Sequence, residues 1–108
     1  ADPLSRRSLR VAMGTAFSLP HARTQHLAVE LLALSEFELY ALTPDPTARL
    51  LDIVQAGSRA AILVGSERSG LSKELVDLST PVRIPMAAGV DSLNAAAATA
   101  VACWALRA

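Results

Sequence analysis

Short apolar runs alternate with helix-forming segments along most of this 108-residue sequence, and this alternation limits the possible folds more than any other feature. The clearest run is 60–64, Ala-Ala-Ile-Leu-Val, which is bounded by turn-forming residues and is typical of a central strand buried on both faces. Further strands are predicted at 37–42 and 82–84. Because strands that alternate with helices pair in parallel, we expect an α/β fold with a mostly parallel sheet flanked by helices.

Helices are predicted in most of the segments between the strands. They cover 6–13, 23–35, 48–56, 73–78 and a terminal stretch that begins at Ser92. In the second of these, Leu27, Leu31 and Leu34 fall on one helical face. Alternating residues at 15–19 predict a fourth strand, which Pro20 closes. A chain of 108 residues is long enough for one core, so a single domain is expected.

The terminal helix is rich in alanine. Small residues at 95–98, 100 and 102 give it a slim cross-section that neighbouring backbone can approach closely. Apolar residues at i, i+4, i+8 and i+11 also form a larger seam along one side, which predicts the face that packs against the core. These residues are Leu93, Ala97, Val101 and Trp104. Cys103 is expected to be buried in the same packing.

Three loops follow predicted strands, at 43–46, 65–70 and 85–92. In a parallel sheet these loops share the carboxyl edge, where ligands of α/β proteins bind. The last loop ends where Asp91 or Ser92 can cap the terminal helix. The loop 65–70 has the Gly-x4-Gly spacing of a phosphate-binding loop, but Leu71 follows it instead of lysine. Glu67 would also repel a phosphate, so a nucleoside triphosphate is not expected.

Composition excludes several classes of protein. Ten basic and ten acidic side chains give a formal net charge of +0, so a nucleic-acid partner would be held by local contacts. One cysteine excludes an internal disulfide and fits a reducing compartment. The longest uncharged run, 92–106, is too short for a bilayer span of about 20 residues, so we expect a cytoplasmic protein without a membrane partner. We predict no metal site.

Two loop sequences resemble consecutive motifs of a known enzyme family. The first is Val64-Gly65-Ser66-Glu67-x-x-Gly70-Leu71-Ser72. The second is Ile84-Pro85-Met86 followed by Val90-Asp91-Ser92-Leu93-Asn94. In this order and at this separation they resemble the SpoU family, which contains RNA ribose 2′-O-methyltransferases of the α/β-knot superfamily. With Ala1–Ser5, Met13-Gly14 and Leu19-Pro20, the resemblance covers essentially the whole chain.

The resemblance implies a deep trefoil knot, in which the C-terminal segment threads through a loop of the preceding chain. It also implies S-adenosylmethionine as cofactor, methyl transfer to a ribose 2′-hydroxyl of ribosomal or transfer RNA, and a homodimer formed through the knot region. By motif position, the cofactor-binding residues would be Thr43, Gly65, Ile84, Met86 and Leu93. The residues that organise catalysis would be Glu67, Ser92 and Asn94.

Several of these residues also have a purely structural interpretation. Ile84 and Leu93 fit core packing, Ser92 fits a helix cap, and Asn94 fits a first-turn residue that satisfies loop backbone. The family's first motif, which contains an arginine implicated in catalysis, does not occur in residues 1–108. We therefore expect the C-terminal part of a methyltransferase domain, which is inactive alone. The alternative is a non-catalytic knot module that binds cofactor or RNA and mediates dimerisation.

Overall fold

A parallel four-stranded sheet forms the centre of the protein. The computed structural model describes residues 2–66, 69–87 and 94–107. The strands are β1 (Glu38–Leu42), β2 (Arg49–Leu50), β3 (Ala60–Leu63) and β4 (Thr80–Arg83). They are arranged in the order β2-β4-β1-β3, and every neighbouring pair is parallel. The α/β class and the parallel sheet predicted from the sequence are therefore confirmed.

Four α-helices accompany the sheet in the described part of the chain. They are α1 (Arg6–Val11), α2 (Leu27–Ala33), α3 (Lys73–Asp77) and α4 (Ala95–Ala105). Two short 3₁₀ helices span Thr15–Phe17 and Leu51–Ile53. None of the helices in the described residues is long and apolar enough to cross a membrane.

The two faces of the sheet carry separate apolar clusters because side chains alternate along each strand. On one face, Tyr40 and Val82 pack against Leu51 and against Ala102 and Leu106 of the terminal helix region. On the other face, Ala41 and Leu63 pack against Leu31 of α2 and against residues of α3 and the turn before it. The core therefore consists of three layers, with α4 on one side and α2 and α3 on the other.

The segment 15–19 is a helical turn, and the predicted strand there is wrong. Met13 and Gly14 precede it with φ values of 53° and 87°, which reverse the chain. The Thr15 hydroxyl then donates to the Ala12 carbonyl at 2.7 Å, and the Ser18 hydroxyl donates to the Thr15 carbonyl at 3.1 Å. These local hydrogen bonds satisfy backbone groups that a strand would offer to a neighbour.

The predicted helix over 48–56 is also wrong. Arg49 and Leu50 instead form a strand that pairs in parallel with β4, and Leu51 turns into the core with 3% of its surface exposed. The apolar residues at 50, 51 and 54 fit a helical face, but they also fit a strand end followed by a 3₁₀ turn. Tertiary pairing with β4 decides between the two patterns.

Strand β3 lies at an edge of the described sheet, although its apolar sequence predicts a central position. Ala60, Ala61 and Ile62 are only half-buried, so the prediction of a strand buried on both faces is wrong for this chain. The strand itself was correctly predicted, since 60–63 is extended and pairs with β1.

The terminal helix packs through a different side from the one predicted. Its buried residues are Ala102 within α4 and Leu106 at its end, whereas Val101 and Trp104 are 42% and 68% exposed. The packed face is displaced by one residue, which is about 100° around a helix. Cys103 is consequently exposed, contrary to its predicted burial. Within α4 the small Ala102 packs against the sheet, and the larger Val101 and Trp104 face outward. Leu106, which follows the helix, is also part of the core.

Candidate functional site

Three parallel strands deliver their following loops to one edge of the sheet. In the register of the sheet, Ala41 lies opposite Leu63, and Leu42 lies opposite Val82. The Thr43 amide donates to the Val82 carbonyl at 3.0 Å, which continues the pairing of β1 and β4 one residue further. The loops that begin at Thr43, Val64 and Ile84 therefore lie next to one another at the carboxyl edge, as predicted for a ligand site.

Gly65 occupies a position with no space for a side chain. A β-carbon added to it would lie 2.3 Å from the carbonyl carbon of Gly70 and 2.3 Å from the amide nitrogen of Leu71. The loop closes on itself because the Gly70 amide donates to the Ser66 carbonyl at 2.9 Å, and Gly70 has a φ of 67°. Two backbone segments thus pack directly against each other at Gly65, and a side chain at this position would push them apart.

The hydroxyl groups of this loop bond to each other. Ser66 Oγ and Ser69 Oγ lie 2.7 Å apart, and the Ser69 amide donates to Ser66 Oγ at 3.2 Å. Ser72 then caps α3 by accepting a hydrogen bond from the Leu75 amide. The loop is fixed at both ends, by the closure at Gly70 and by the helix cap.

The Thr43 loop is held by hydrogen bonds of its own. Thr43 Oγ1 accepts from the Asp45 amide at 3.2 Å, and Asp45 Oδ1 accepts from the Thr47 amide at 2.9 Å and from the Thr47 hydroxyl at 2.8 Å. These bonds hold the pKa of the Asp45 carboxyl below its usual range. The bond from the Thr47 backbone has the larger effect and the bond from its hydroxyl the smaller one. The loop therefore keeps its shape and its negative charge at neutral pH.

Arg83 ties the Thr43 loop to the strand that leads into the third loop. Its Nε donates to the Ala48 carbonyl at 3.1 Å, across 35 residues of sequence. Nothing in the sequence pattern indicates this contact, since a side chain to backbone bond at such a separation leaves no periodic signal. The bond fixes two of the three loops relative to each other.

Ile84 and Met86 combine partial burial with a position at the ligand edge. Ile84 packs against the cluster that contains Tyr40 and Val82, and Met86 is half-buried. Pro85 between them is exposed and has no amide hydrogen. This segment thus offers apolar surface at the ligand edge, which suits the face of a heterocyclic base.

Asn94 is the N-cap of the terminal helix. Its Oδ1 accepts from the amides of Ala96 and Ala97 at 2.9 and 3.4 Å. The helix begins at Ala95, so the predicted start at Ser92 and the predicted cap at Asp91 or Ser92 are wrong. Asn94 caps the helix because its side-chain oxygen accepts hydrogen bonds from two amides of the first turn, which have no carbonyl partner within the helix.

Three of the predicted site residues, Glu67, Ser92 and Leu93, lie outside the described residues. The roles assigned to them remain predictions. Of the other five, the structure brings Thr43, Gly65, Ile84 and Met86 to the carboxyl edge, and it places Asn94 at the start of α4.

A concavity lies at the opposite edge of the sheet. It is an open groove of about 480 Å³ between the ends of α2 and α3, lined at its base by residues 37–40 and by Thr80. This is the amino edge of the strands, where parallel sheets do not usually bind ligands. We therefore place the candidate site at the carboxyl edge.

The structure is that of an α/β protein whose motif loops converge beyond the carboxyl ends of its parallel strands. Comparison with known proteins identifies the family. The chain belongs to the SpoU rRNA Methylase family, whose sequence pattern matches residues 1–104. The recognition of this family from its second and third motifs is confirmed.

The chain is similar to several methyltransferases. It is 46% identical to an uncharacterised tRNA/rRNA methyltransferase of Mycobacterium bovis, across 94% of this chain and 38% of the relative. It is 34% identical to the 23S rRNA (guanosine-2′-O-)-methyltransferase RlmB of Bordetella pertussis, across 85% of this chain and 38% of the relative. The chain thus spans well under half the length of these relatives.

A solved structure has the same fold. The AdoMet-bound rRNA methyltransferase of Sinorhizobium meliloti superposes with a TM-score of 0.87 at 28% identity, covering 97% of this chain and 41% of that protein.

Proposed function

We propose that this chain is part of the catalytic domain of an S-adenosylmethionine-dependent methyltransferase that modifies the ribose 2′-hydroxyl of ribosomal or transfer RNA. The observation that carries this proposal is the convergence of the Thr43, Gly65 and Ile84 loops at one edge of the sheet. The similarity to a ribosomal RNA 2′-O-methyltransferase and to an AdoMet-bound enzyme supports the chemistry.

The residues at this edge suit the cofactor. Gly65 lets the backbone of Gly70 and Leu71 pack directly against it, and this close packing fixes the shape of the second loop beside the proposed cofactor. Ile84 and Met86, with Leu93, would supply the apolar walls for adenine, and main-chain groups of the same loops would bond to its edge. Thr43 would contribute from the first loop. S-adenosylmethionine supplies an electrophilic methyl group when bound.

The chain's remaining task is to position the ribose hydroxyl and to remove its proton. We assign this task to Glu67, Ser92 and Asn94. Since Oδ1 of Asn94 already accepts from two helix amides, its side-chain nitrogen is the group left for substrate. As a donor, it would hold an oxygen of the ribose in place, while Glu67 and Ser92 act on the proton.

The proposal includes the C-terminal knot. Support comes from the family and from α4, whose packed residue Ala102 has no exposed surface. A helix this slim can lie against the sheet while the connection that precedes it passes through a loop. A crystal structure traced through residues 84–95 tests this, and an unthreaded connection would exclude the knot.

We also propose a homodimer, cytoplasmic with its RNA substrates. The outer side of α4 carries Val101 and Trp104, which are 42% and 68% exposed. A second copy that covers these residues would remove apolar surface from water. Light scattering after size exclusion tests the dimer, and Trp104→Glu is expected to convert it to monomer. A wild-type protein that is monomeric would exclude the dimer.

Activity requires more than these 108 residues in this proposal. The arginine motif of the family would lie in the rest of the polypeptide, since the chain spans only 38% of its relatives' length. We expect the fragment alone to transfer no methyl groups. The complete polypeptide without that motif would instead fit the non-catalytic alternative.

The test is methyl transfer by the complete polypeptide. Ribosomal and transfer RNA from cells that lack the gene are incubated with the protein and with methyl-deuterated S-adenosylmethionine, then digested to nucleosides and analysed by mass spectrometry. We expect one deuterated 2′-O-methylnucleoside. Deuterium on a base, or none in either RNA, would contradict the proposal.

A further inference from the structure

The formal charge of this chain is divided unevenly along its length. Residues 1–26 contain four arginines and one carboxylate, whereas residues 27–108 contain six basic and nine acidic side chains. The two segments therefore have formal charges of +3 and −3, although the whole chain is neutral. The neutral total therefore conceals a basic segment, residues 1–26, at the amino-terminal end of this sequence.

Three of the four arginines lie on one side of α1. Arg6, Arg7 and Arg10 are all exposed, and they fall within an arc of about 100° around the helix. The opposite side holds Ser8, Leu9 and Ala12, which are half-buried. Ser8, Leu9 and Ala12 thus lie toward the protein, whereas Val11 is 69% exposed. Arg6, Arg7 and Arg10 form a continuous arginine face toward solvent.

The arginine face has no carboxylate partner within 4.0 Å in residues 2–66, 69–87 and 94–107. Other cations of the chain do have partners. Arg59 pairs with Glu36 at 3.2 Å, Lys73 pairs with Asp77 at 3.5 Å, and the Arg107 guanidinium lies 4.0 Å from the ring centre of Trp104. Arg23 and Arg49 also lack an ion pair in the described residues, so what distinguishes the arginine face is that three exposed arginines cluster on one helix.

We propose that the arginine face binds the phosphate backbone of the RNA substrate. The inference rests on the proposed function, which makes RNA the polyanion that the protein must hold. Guanidinium groups bind phosphate oxygens through paired N–H donors, and an exposed row of them suits a repeating anion better than a single small ligand. Because the remaining residues carry net negative charge, this face would also orient the approaching RNA.

The first experiment measures the salt dependence of RNA binding by the complete polypeptide. The probe is a fluorescein-labelled 20-nucleotide oligouridylate, titrated at KCl concentrations from about 50 to about 300 mM. Each phosphate contact on a single strand contributes about 0.7 to the slope of log K against log salt. Loss of three contacts should therefore make the slope of the Arg6→Gln/Arg7→Gln/Arg10→Gln variant less steep than that of wild type by about 2.

A matched control carries the same loss of charge elsewhere. In Arg59→Gln/Lys73→Gln/Arg107→Gln, three cations that already have partners are removed, and the net charge changes equally. We expect its slope to stay within about 0.5 of wild type. Two results would overturn the proposal. One is an equal change of slope in both triple variants, which would attribute the effect to net charge alone. The other is an unchanged slope in the Arg6→Gln/Arg7→Gln/Arg10→Gln variant.

Further measurements distinguish a failure of the arginine-face proposal from a failure of the proposed methyltransferase function. Thermal unfolding and calorimetric titration with S-adenosylmethionine should match wild type in the α1 variant, and its KM for RNA should rise while kcat is unchanged. If the wild-type protein fails to methylate RNA, the proposed function fails, but the oligouridylate slopes still decide whether the arginine face binds nucleic acid. Binding of the face to phosphatidylglycerol vesicles, with RNA affinity unaffected by the substitutions, would overturn it.

Discussion

At the scale of single residues, the space around Gly65 governs the candidate site. Two backbone atoms, the carbonyl carbon of Gly70 and the amide nitrogen of Leu71, lie 2.3 Å from the position that a β-carbon would take. Neither atom can move without opening the loop closure between Ser66 and Gly70. Gly65 therefore acts through close approach of backbone, and the left-handed conformation of the loop is supplied by Gly70.

We expect Gly65→Ala to destabilise the protein by more than about 2 kcal/mol and to abolish binding of S-adenosylmethionine. The control is Gly14→Ala, where no atom lies within 4 Å of the added carbon and only the φ of 87° is unfavourable. That variant should lose about 1 kcal/mol and should bind normally. Thermal denaturation and calorimetry measure both effects. Normal binding of S-adenosylmethionine by Gly65→Ala would show that the Gly65 loop does not hold the cofactor.

Substitution of Asn94 separates its structural role from its proposed catalytic role. Asn94→Asp keeps the oxygen that caps α4, so stability should be unchanged, but it removes the side-chain N–H donor. Asn94→Ala should lose the cap as well, at a cost of about 1 kcal/mol. We expect both variants to lose methyl transfer to RNA. An Asn94→Asp enzyme with wild-type kcat would restrict Asn94 to capping.

Glu38 and Tyr40 predict a specific dependence of stability on pH. The Tyr40 hydroxyl donates to Glu38 Oε2 at 2.6 Å and the Gly57 amide donates to the same oxygen at 3.0 Å, so the pKa of Glu38 is lowered, first by Tyr40 and then by Gly57. The same bond, with burial, raises the pKa of Tyr40. A lowered carboxyl pKa adds stability above the unfolded value, which is lost as pH falls through the folded value.

The raised pKa of Tyr40 has the opposite sign, so its contribution is present below the unfolded value and is lost as pH rises through the folded value. We expect Tyr40→Phe to weaken both the acid and the alkaline loss of stability, measured by denaturant midpoints at a series of pH values. Glu38→Gln should weaken them similarly, and the double variant should add little. Wild-type pH curves in either variant would contradict this account.

At the scale of elements, the sequence predicted the strands whose pattern has only one interpretation. Residues 37–42, 60–64 and 82–84 correspond to β1, β3 and β4, with ends shifted by one or two residues. The segment 48–56 could not be decided, because its apolar residues fit both a helical face and a strand that turns into the core. Its pairing with β4 depends on residues more than thirty positions away.

The terminal helix was misjudged for a physical reason. Their size suggested that Val101 and Trp104 face the core, but Ala102 is the residue of α4 that is buried in the cluster with Tyr40 and Val82. The sequence pattern does not indicate how close the helix lies to the sheet, and therefore which side chains fit between them. The cap was mispredicted for a similar reason. Asp91, Ser92 and Asn94 are all residue types that cap helices well, and only the position at which α4 begins decides which of them is the N-cap.

Overpacking of α4 tests this arrangement. Ala102→Leu places a larger side chain against Tyr40, Leu51 and Val82, and we expect it to cost about 1–3 kcal/mol. Ala100→Leu on the exposed side of the same helix should change stability by less than about 0.5 kcal/mol. Denaturant titration measures both. The reverse order of the two effects would mean that the helix packs through its other face.

At the scale of the whole molecule, the protein has two distinct edges and an uneven charge. The carboxyl edge holds the motif loops, and the amino edge holds the groove between α2 and α3. The family motifs predicted the first of these from sequence, because both motifs begin where strands end. The groove has no comparable signal, since its walls come from two stretches, 31–40 and 77–80, that meet only in the folded chain.

The most direct test of this account is to map where S-adenosylmethionine binds. In the ¹⁵N-labelled complete polypeptide, we expect addition of the cofactor to shift the amide resonances of Thr43, Gly65, Ile84 and Met86. The residues of the amino-edge groove, such as Leu32 and Ser79, should stay unchanged. Shifts confined to that groove, or no saturable shift at the carboxyl edge, would contradict the claim that these three loops form the methyl-donor site.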